Sequence, residues 1–206
     1  MATDAHLATI IENNRMVRYR DLGHHEVEPF LATCPVPIPS GDILEIGCGS
    51  GKVVAELAKL YGARAHGVDL ADFLKRDISF KVANAEEQLP YADGTFDFAF
   101  SFMTFMYLRE KLNALREIHR VLKPGASAWV DIQGQMFEPH VYPLLQDLLA
   151  QHPNGDQVRL GYWERPHKPL PRLAAHIEKT GAPLSFPPLI RATGIPGRCP
   201  VSFYAP

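Results

Sequence analysis

Cysteine is scarce in this chain: Cys34, Cys48 and Cys199 are its whole complement among 206 residues. With no C-x-x-C pair among them, neither a disulfide framework nor a zinc site is expected, and a reducing compartment is. Long apolar runs are missing as well. None approaches the roughly 18 residues of a membrane span, and the N-terminus has no basic head leading into an apolar stretch of the kind that directs export. A cytoplasmic protein with no membrane partner is the expectation. Net charge is close to nil, 21 Lys and Arg against 23 Asp and Glu, so nothing in the total recommends nucleic acid as a partner. The balance shifts along the chain: residues 1–150 carry 14 basic and 20 acidic side chains, and residues 151–206 carry 7 and 3. The basic tail suits an anionic substrate or a solvated surface equally. With 46% hydrophobic and 21% charged residues, the composition is that of one compact domain.

What the chain does have is Asp42-Ile-Leu-Glu-Ile-Gly-Cys-Gly-Ser-Gly51 followed by Lys52-Val-Val-Ala-Glu-Leu-Ala-Lys-Leu-Tyr61. An apolar run ends in alternating glycines, and the spacing of Val53, Val54, Leu57, Ala58 and Tyr61 then becomes helical. This reads as strand, glycine turn, helix. Such a turn brings a ligand close to the backbone and aims a helix N-terminus at it. The dinucleotide pattern G-x-G-x-x-G needs glycine at 52, where Lys52 stands. The phosphate-binding loop G-x-x-x-x-G-K-[ST] fails too, because its spacer is one residue short and Val53 replaces the hydroxyl. Asp69 ends a second short apolar stretch, Ala65–Leu70, about twenty residues past the glycines, where a carboxylate accepts hydrogen bonds from two ribose hydroxyls and disfavours a 2′-phosphate.

Three further segments follow in order: Asn84-Ala-Glu-Glu-Gln-Leu-Pro-Tyr91, the strand candidate Phe96–Ser101, and Leu112-Asn-Ala-Leu-Arg-Glu-Ile-His-Arg-Val-Leu-Lys-Pro-Gly125. Over residues 40–133 the set resembles the UbiE-like, small-molecule branch of class I methyltransferases. The resemblance implies an α/β fold, a Rossmann-like three-layer sandwich around a seven-stranded, mostly parallel sheet with one antiparallel strand. It also implies S-adenosylmethionine as cofactor, S-adenosylhomocysteine as product and a small-molecule substrate. Carried over residue by residue, the cofactor would be met by Glu45, Gly47, Cys48, Gly49, Gly51, Asp69, Leu70, Asn84, Ala85, Glu86 and Ser101. Asparagine stands at 84 where the family has aspartate, which keeps a donor and an acceptor and loses the charge. Met106 and Tyr107 replace a frequent histidine pair, which makes the pocket floor apolar and aromatic. No Asn/Asp-Pro-Pro-Tyr/Phe tetrapeptide follows the Phe96–Ser101 strand, which lowers DNA and protein-amide substrates.

The single domain would comprise a cap segment at residues 1–39, the cofactor-binding core at 40–133 and a substrate or lid region at 134–206. Leu7, Ile10, Ile11 and Val17 predict an N-terminal helix, and Pro35, Pro37 and Pro39 predict an extended connector. Only nine residues separate Asp69 from the strand starting at Ser79, too few for a normal helical crossover. The sheet is therefore expected to be thinly covered there, leaving an apolar patch for a homodimer. In the tail, Val141–Gln151 and Arg172–Lys179 read as helices, residues 153–171 as a proline-spaced loop whose Tyr162–His167 stretch is the candidate substrate lid, and residues 184–204 as a terminal hairpin, the place where the resemblance implies the antiparallel strand. Methyl transfer is mainly a matter of alignment, so no catalytic residue stands out. His24, His25, Tyr19, Tyr107 and His140 are candidate bases or orienters, and Arg20, Met103, Met106, Gln133 and Trp163 are candidate substrate contacts. His119 reads as an ordinary helix residue. Two other functions fit the same motifs: a cofactor-binding enzyme running a non-methylating reaction such as cyclisation, and a non-catalytic scaffold.

Overall fold

In a computed structural model of the chain, the structure describes residues 8, 11–12, 24–108, 111–132, 157–163 and 172–180. Among the described residues the helices α1 (His24–Leu31), α2 (Lys52–Tyr61) and α3 (Lys111–Val121) accompany the strands β1 (Asp42–Ile46), β2 (Arg64–Asp69), β3 (Ser79–Val82), β4 (Phe96–Ser101), β5 (Leu122–Asp131), β6 (Val158–Trp163) and β7 (Arg172–Glu178), and residues 8, 11 and 12 are helical as well. Among the described residues the strands form one sheet in the order β3-β2-β1-β4-β5-β7-β6. β7 runs antiparallel to both its neighbours and every other pairing is parallel, as the resemblance implies.

Strand β1 sits in the middle, so both its faces must be apolar. Ile43 packs with Val53, Val54 and Leu57 of α2 and with Val27 and Phe30 of α1, while Leu44 and Ile46 pack with Ala114, Leu115 and Ile118 of α3. Two helices thus cover one face and one covers the other, giving three layers. Burying each large side chain of the α2 stripe is worth about 1.5–3 kcal/mol. Leu57 is 2% exposed, so truncating it to alanine would cost about 2–5 kcal/mol. The helix stops at Gly62, whose φ of 65° lets the Ala63 amide turn back to the Ala58 carbonyl.

The short link after β2 holds no helix. It packs instead over the glycine turn, with the Lys75 amide donating to the Ser50 carbonyl and the side chains of Leu74 and Ile78 filling the space beside Gly51. β3 is left at the sheet edge with Val82 56% exposed.

Two expectations for the tail are overturned. Residues 172–178 are a strand and not a helix. Ala174, Ala175 and Ile177 are all buried, and a strand covered on both faces shows no polar alternation to distinguish it from a helix. The loop expected at 153–171 is also overturned over 158–163, which form a strand paired to β7 and take in the first two residues of the candidate lid. Among the described residues the antiparallel closing strand lies at 172–178; the hairpin expected at 184–204 falls outside them, as do 141–151 and all but three residues of 1–23. β5 begins at Leu122, directly after α3, because Leu122 pairs with Phe96 before the register shifts.

Candidate functional site

The sheet order reverses between β1 and β4, whose last residues Ile46 and Ser101 are register partners. In open α/β sheets ligands bind outside the carboxyl ends of the strands at such a switch point. Four loops meet there: the glycine turn after β1, the Asp69 corner after β2, residues 102–108 after β4 and Ile132 after β5.

The glycine turn is left-handed at Gly47, Gly49 and Gly51, with φ of 72°, 51° and 75°. A Cβ at Gly47 would collide with the Thr104 side chain, and one at Gly51 would meet Leu74 and Ile78. Gly51 is the N-cap of α2 and has no side chain with which to cap it. That task passes to Glu45 on β1, whose Oε2 accepts the Val54 amide at 3.2 Å. Glu45 is 4% exposed. Burial raises its carboxyl well above the usual range, the Asp69 charge adds to the rise, and the Val54 amide opposes it. Asp69 accepts the Gly49 amide on Oδ2 at 2.8 Å and the Leu70 amide on Oδ1 at 2.7 Å. Burial pushes its carboxyl up against these two bonds. Each oxygen keeps a lone pair, so the carboxylate is oriented and still able to accept.

The remaining candidates divide. Cys48 turns its sulfur toward Gly67 of β2, and burial raises its thiol far above the ordinary value, so it offers a ligand only its backbone. The Ser101 hydroxyl, fully buried, donates to the Ile46 carbonyl at 3.0 Å and joins β1 to β4. Asn84 folds back on its own loop, with Oδ1 accepting the Glu86 amide at 3.0 Å and Nδ2 donating to Glu87 at 3.2 Å. Ala85 is buried, and Leu70 and Glu86 are half-buried. Met103 sits in the turn after β4, and Tyr107 is 41% exposed at the end of a short 3-10 turn. Trp163 does not line a lid, because it is 2% exposed on β6. His24 and His25 lie on α1 and Met106 lies in the 3-10 turn, without described side chains. Tyr19, Arg20, Gln133 and His140 fall outside the described residues. His119 is buried and bonded to Gln157 at 2.9 Å.

One arrangement escaped the sequence reading. Asp131, the last residue of β5 and fully buried, receives the Arg172 guanidinium at 2.7 Å on Oδ2, the Trp163 indole at 3.3 Å on Oδ1 and the Met103 amide at 3.3 Å on Oδ2. Burial pushes its carboxyl up, and the Arg172 charge is the largest opposing pull. The available signal was positional: an acid closes an apolar strand at the ligand edge, as Asp69 does on β2.

The family described as "Methyltransferase domain" matches residues 44–130. The methyltransferase likeness covers the stretch from β1 through most of β5. An O-methyltransferase of Penicillium expansum is 26% identical over 146 residues, 65% of this chain and 47% of that protein. Demethylmenaquinone methyltransferase of Chlorobaculum parvum is 31% identical over 94 residues, 43% of this chain and 39% of that protein. The chain thus covers less than half the length of either relative. In fold, a chain of the complex containing the Haloferax volcanii Trm112 methyltransferase activator superposes with a TM-score of 0.59 at 18% identity, over 84% of this chain and 96% of that one. The match supports S-adenosylmethionine as cofactor. No described helix is long and apolar enough to cross a membrane.

Proposed function

We propose that the chain is an S-adenosylmethionine-dependent methyltransferase acting on a small-molecule acceptor in the cytoplasm. The observation that carries this reading is Asp69, fixed by the Gly49 and Leu70 amides at 2.8 and 2.7 Å with lone pairs left for two ribose hydroxyls. The glycine turn would take the amino-acid end, where a side chain at Gly47 or Gly51 has no room. The Ala85 and Glu86 loop would flank the base. Glu45 and Asp69 repel one another beneath the turn, which favours a ligand bearing positive charge over a neutral one.

When bound, the cofactor supplies an electrophilic methyl group already activated by its sulfonium. The protein's own work is then alignment and exclusion of water, which reaches about 7–11 kcal/mol in favourable cases. Phe102, Met103, Thr104 and Tyr107 form the wall after β4. Its aromatic and thioether character suits a flat or apolar acceptor beside a cation. The open β3 edge with exposed Val82 supports a homodimer.

Calorimetric titration with S-adenosylmethionine and S-adenosylhomocysteine tests the reading. Micromolar binding, about −8 kcal/mol, weakened at least about tenfold in Asp69→Ala, a loss of about 1.4 kcal/mol, is the expected result. Absence of binding to the unaltered chain would refute it. A product heavier by one methyl group in an acceptor screen identifies the substrate, whereas an unchanged mass with altered connectivity would point to cyclisation.

A further inference from the structure

Among the described residues Met103 is the one non-glycine residue with positive φ, at 57°. L-residues rarely adopt that conformation unless their surroundings impose it. Two contacts impose it here. The Met103 amide donates to Asp131 Oδ2 at 3.3 Å, and the Phe102 ring is held 5.4 Å from Phe30 and 5.4 Å from Trp163. The next residue, Thr104, presses its side chain against Gly47 so closely that no Cβ would fit there. The turn after β4 is therefore one wall of the crevice whose other wall is the glycine turn.

A buried ion pair such as Asp131–Arg172, with Arg172 8% exposed and Asp131 fully buried, is a poor means of gaining stability, since an apolar pair seals a core as well or better. What an apolar pair cannot do is accept the Met103 amide. The same carboxylate reaches β6 through Trp163 and β7 through Arg172, so it ties the two last strands of the sheet to the wall of the crevice. Resting on the methyltransferase reading above, we propose that Asp131 is a positioning residue for methyl transfer. It holds Met103 in the left-handed conformation that sets Thr104 against Gly47, and thereby fixes the acceptor-side wall at the methyl end of the cofactor.

The test uses Asp131→Leu/Arg172→Met, which removes the pair without stranding a charge, and Asp131→Asn, which keeps the shape, as a second variant should the first not fold. Amide exchange at Met103 reads the tie directly. It is expected to accelerate by about tenfold or more in the double variant, with the β4 and β5 amides little changed. Calorimetry with S-adenosylmethionine and S-adenosylhomocysteine reads its role, because the two differ only in the methyl group and its charge. Affinity for the first is expected to fall by about fivefold or more and for the second by less than about twofold. Adding Met103→Gly, which reaches positive φ without help, is expected to restore affinity for S-adenosylmethionine to within about threefold. Unchanged exchange, equal losses for both ligands, or no recovery with Met103→Gly would each overturn the proposal. Failure of the unaltered chain to bind either ligand would overturn the methyltransferase reading itself, and with it this role. That outcome is distinguishable because it appears before any substitution is made.

Discussion

The Arg120 guanidinium donates to the Leu89 carbonyl at 2.9 Å, and the Leu89 amide donates to Glu117 at 2.7 Å. One turn of α3 thus satisfies both backbone groups of a residue 31 positions earlier. The same guanidinium reaches the Tyr91 carbonyl at 2.8 Å, Asp93 at 2.7 Å and Glu117 at 2.7 Å. This explains why Gln88-Leu-Pro-Tyr91 and Glu117-Ile-His-Arg120 occur together: the second motif clamps the first, which follows directly on the Ala85–Glu86 loop. Arg120→Ala takes the guanidinium from the Tyr91 carbonyl and leaves the Leu89 carbonyl with the Tyr91 amide alone, and is expected to cost about 2–3 kcal/mol in chemical denaturation. Arg120→Lys recovers only part of the loss, because an ammonium lacks the planar fork. Equal stability of the arginine and lysine forms would show that charge alone matters.

A second prediction separates strain from collision at two glycines of nearly equal backbone angle. Gly47 has φ 72° and Gly62 has φ 65°. A Cβ at Gly62 meets nothing within 4 Å, so Gly62→Ala should cost about 1–2 kcal/mol and leave cofactor affinity unaltered. Gly47→Ala carries the same strain and a clash with Thr104 as well. It should lower the thermal midpoint further and abolish detectable cofactor binding. Similar binding by the two variants would mean that Thr104 yields freely.

The features legible in the sequence were those that a short stretch determines by itself. The glycine turn, the α2 stripe, Asp69 and the absence of a helix between β2 and β3 each follow from residue type and local spacing. β6 and β7 were not legible, because each is a strand only by virtue of its partner. Arg172-Leu-Ala-Ala-His-Ile-Glu has good helix formers, and its burial on both faces, between β5 and β6, erases the alternation that would identify it. Asp131 was missed for a related reason. Its partners Met103, Trp163 and Arg172 are separated from it by 28, 32 and 41 residues, and nothing local marks their convergence. The polar atoms of Ser101 and Asn84 bond within the protein, the Ser101 hydroxyl and Asn84 Oδ1 to backbone groups and Asn84 Nδ2 to the Glu87 side chain.

The amino end of the sheet sets the acid limb of stability. Asp42 is held down to about 2, first by the Arg64 hydrogen bond and then by His66, with ring nitrogen and carboxylate 2.9 Å apart. A carboxyl whose folded value lies below its unfolded one stabilises fully above the unfolded value, and that contribution is lost as pH falls through the folded one. The window therefore runs downward from about 3.8 to about 2. Arg64 is 71% exposed, so solvent screening reduces the contribution to about 1 kcal/mol. Asp42→Asn should flatten denaturation midpoints across that window by this amount and no more.

The last prediction concerns Glu45 and runs with the opposite sign. Its carboxyl is raised well above 4.5 by burial and by Asp69, so over the interval above 4.5 the folded chain holds a proton that the unfolded chain has lost. Ligand-free stability should then decline as pH rises through that interval, and Glu45→Gln should remove the decline while its amide oxygen still accepts the Val54 amide. A positively charged ligand above the glycine turn favours the ionised carboxylate, so binding S-adenosylmethionine should expel protons over the same interval. S-adenosylhomocysteine, which lacks the sulfonium charge, should expel fewer. Titrations in two buffers of different ionisation enthalpy count the protons. Equal release by both ligands, or release that persists in Glu45→Gln, would place the titrating group elsewhere than beneath the turn.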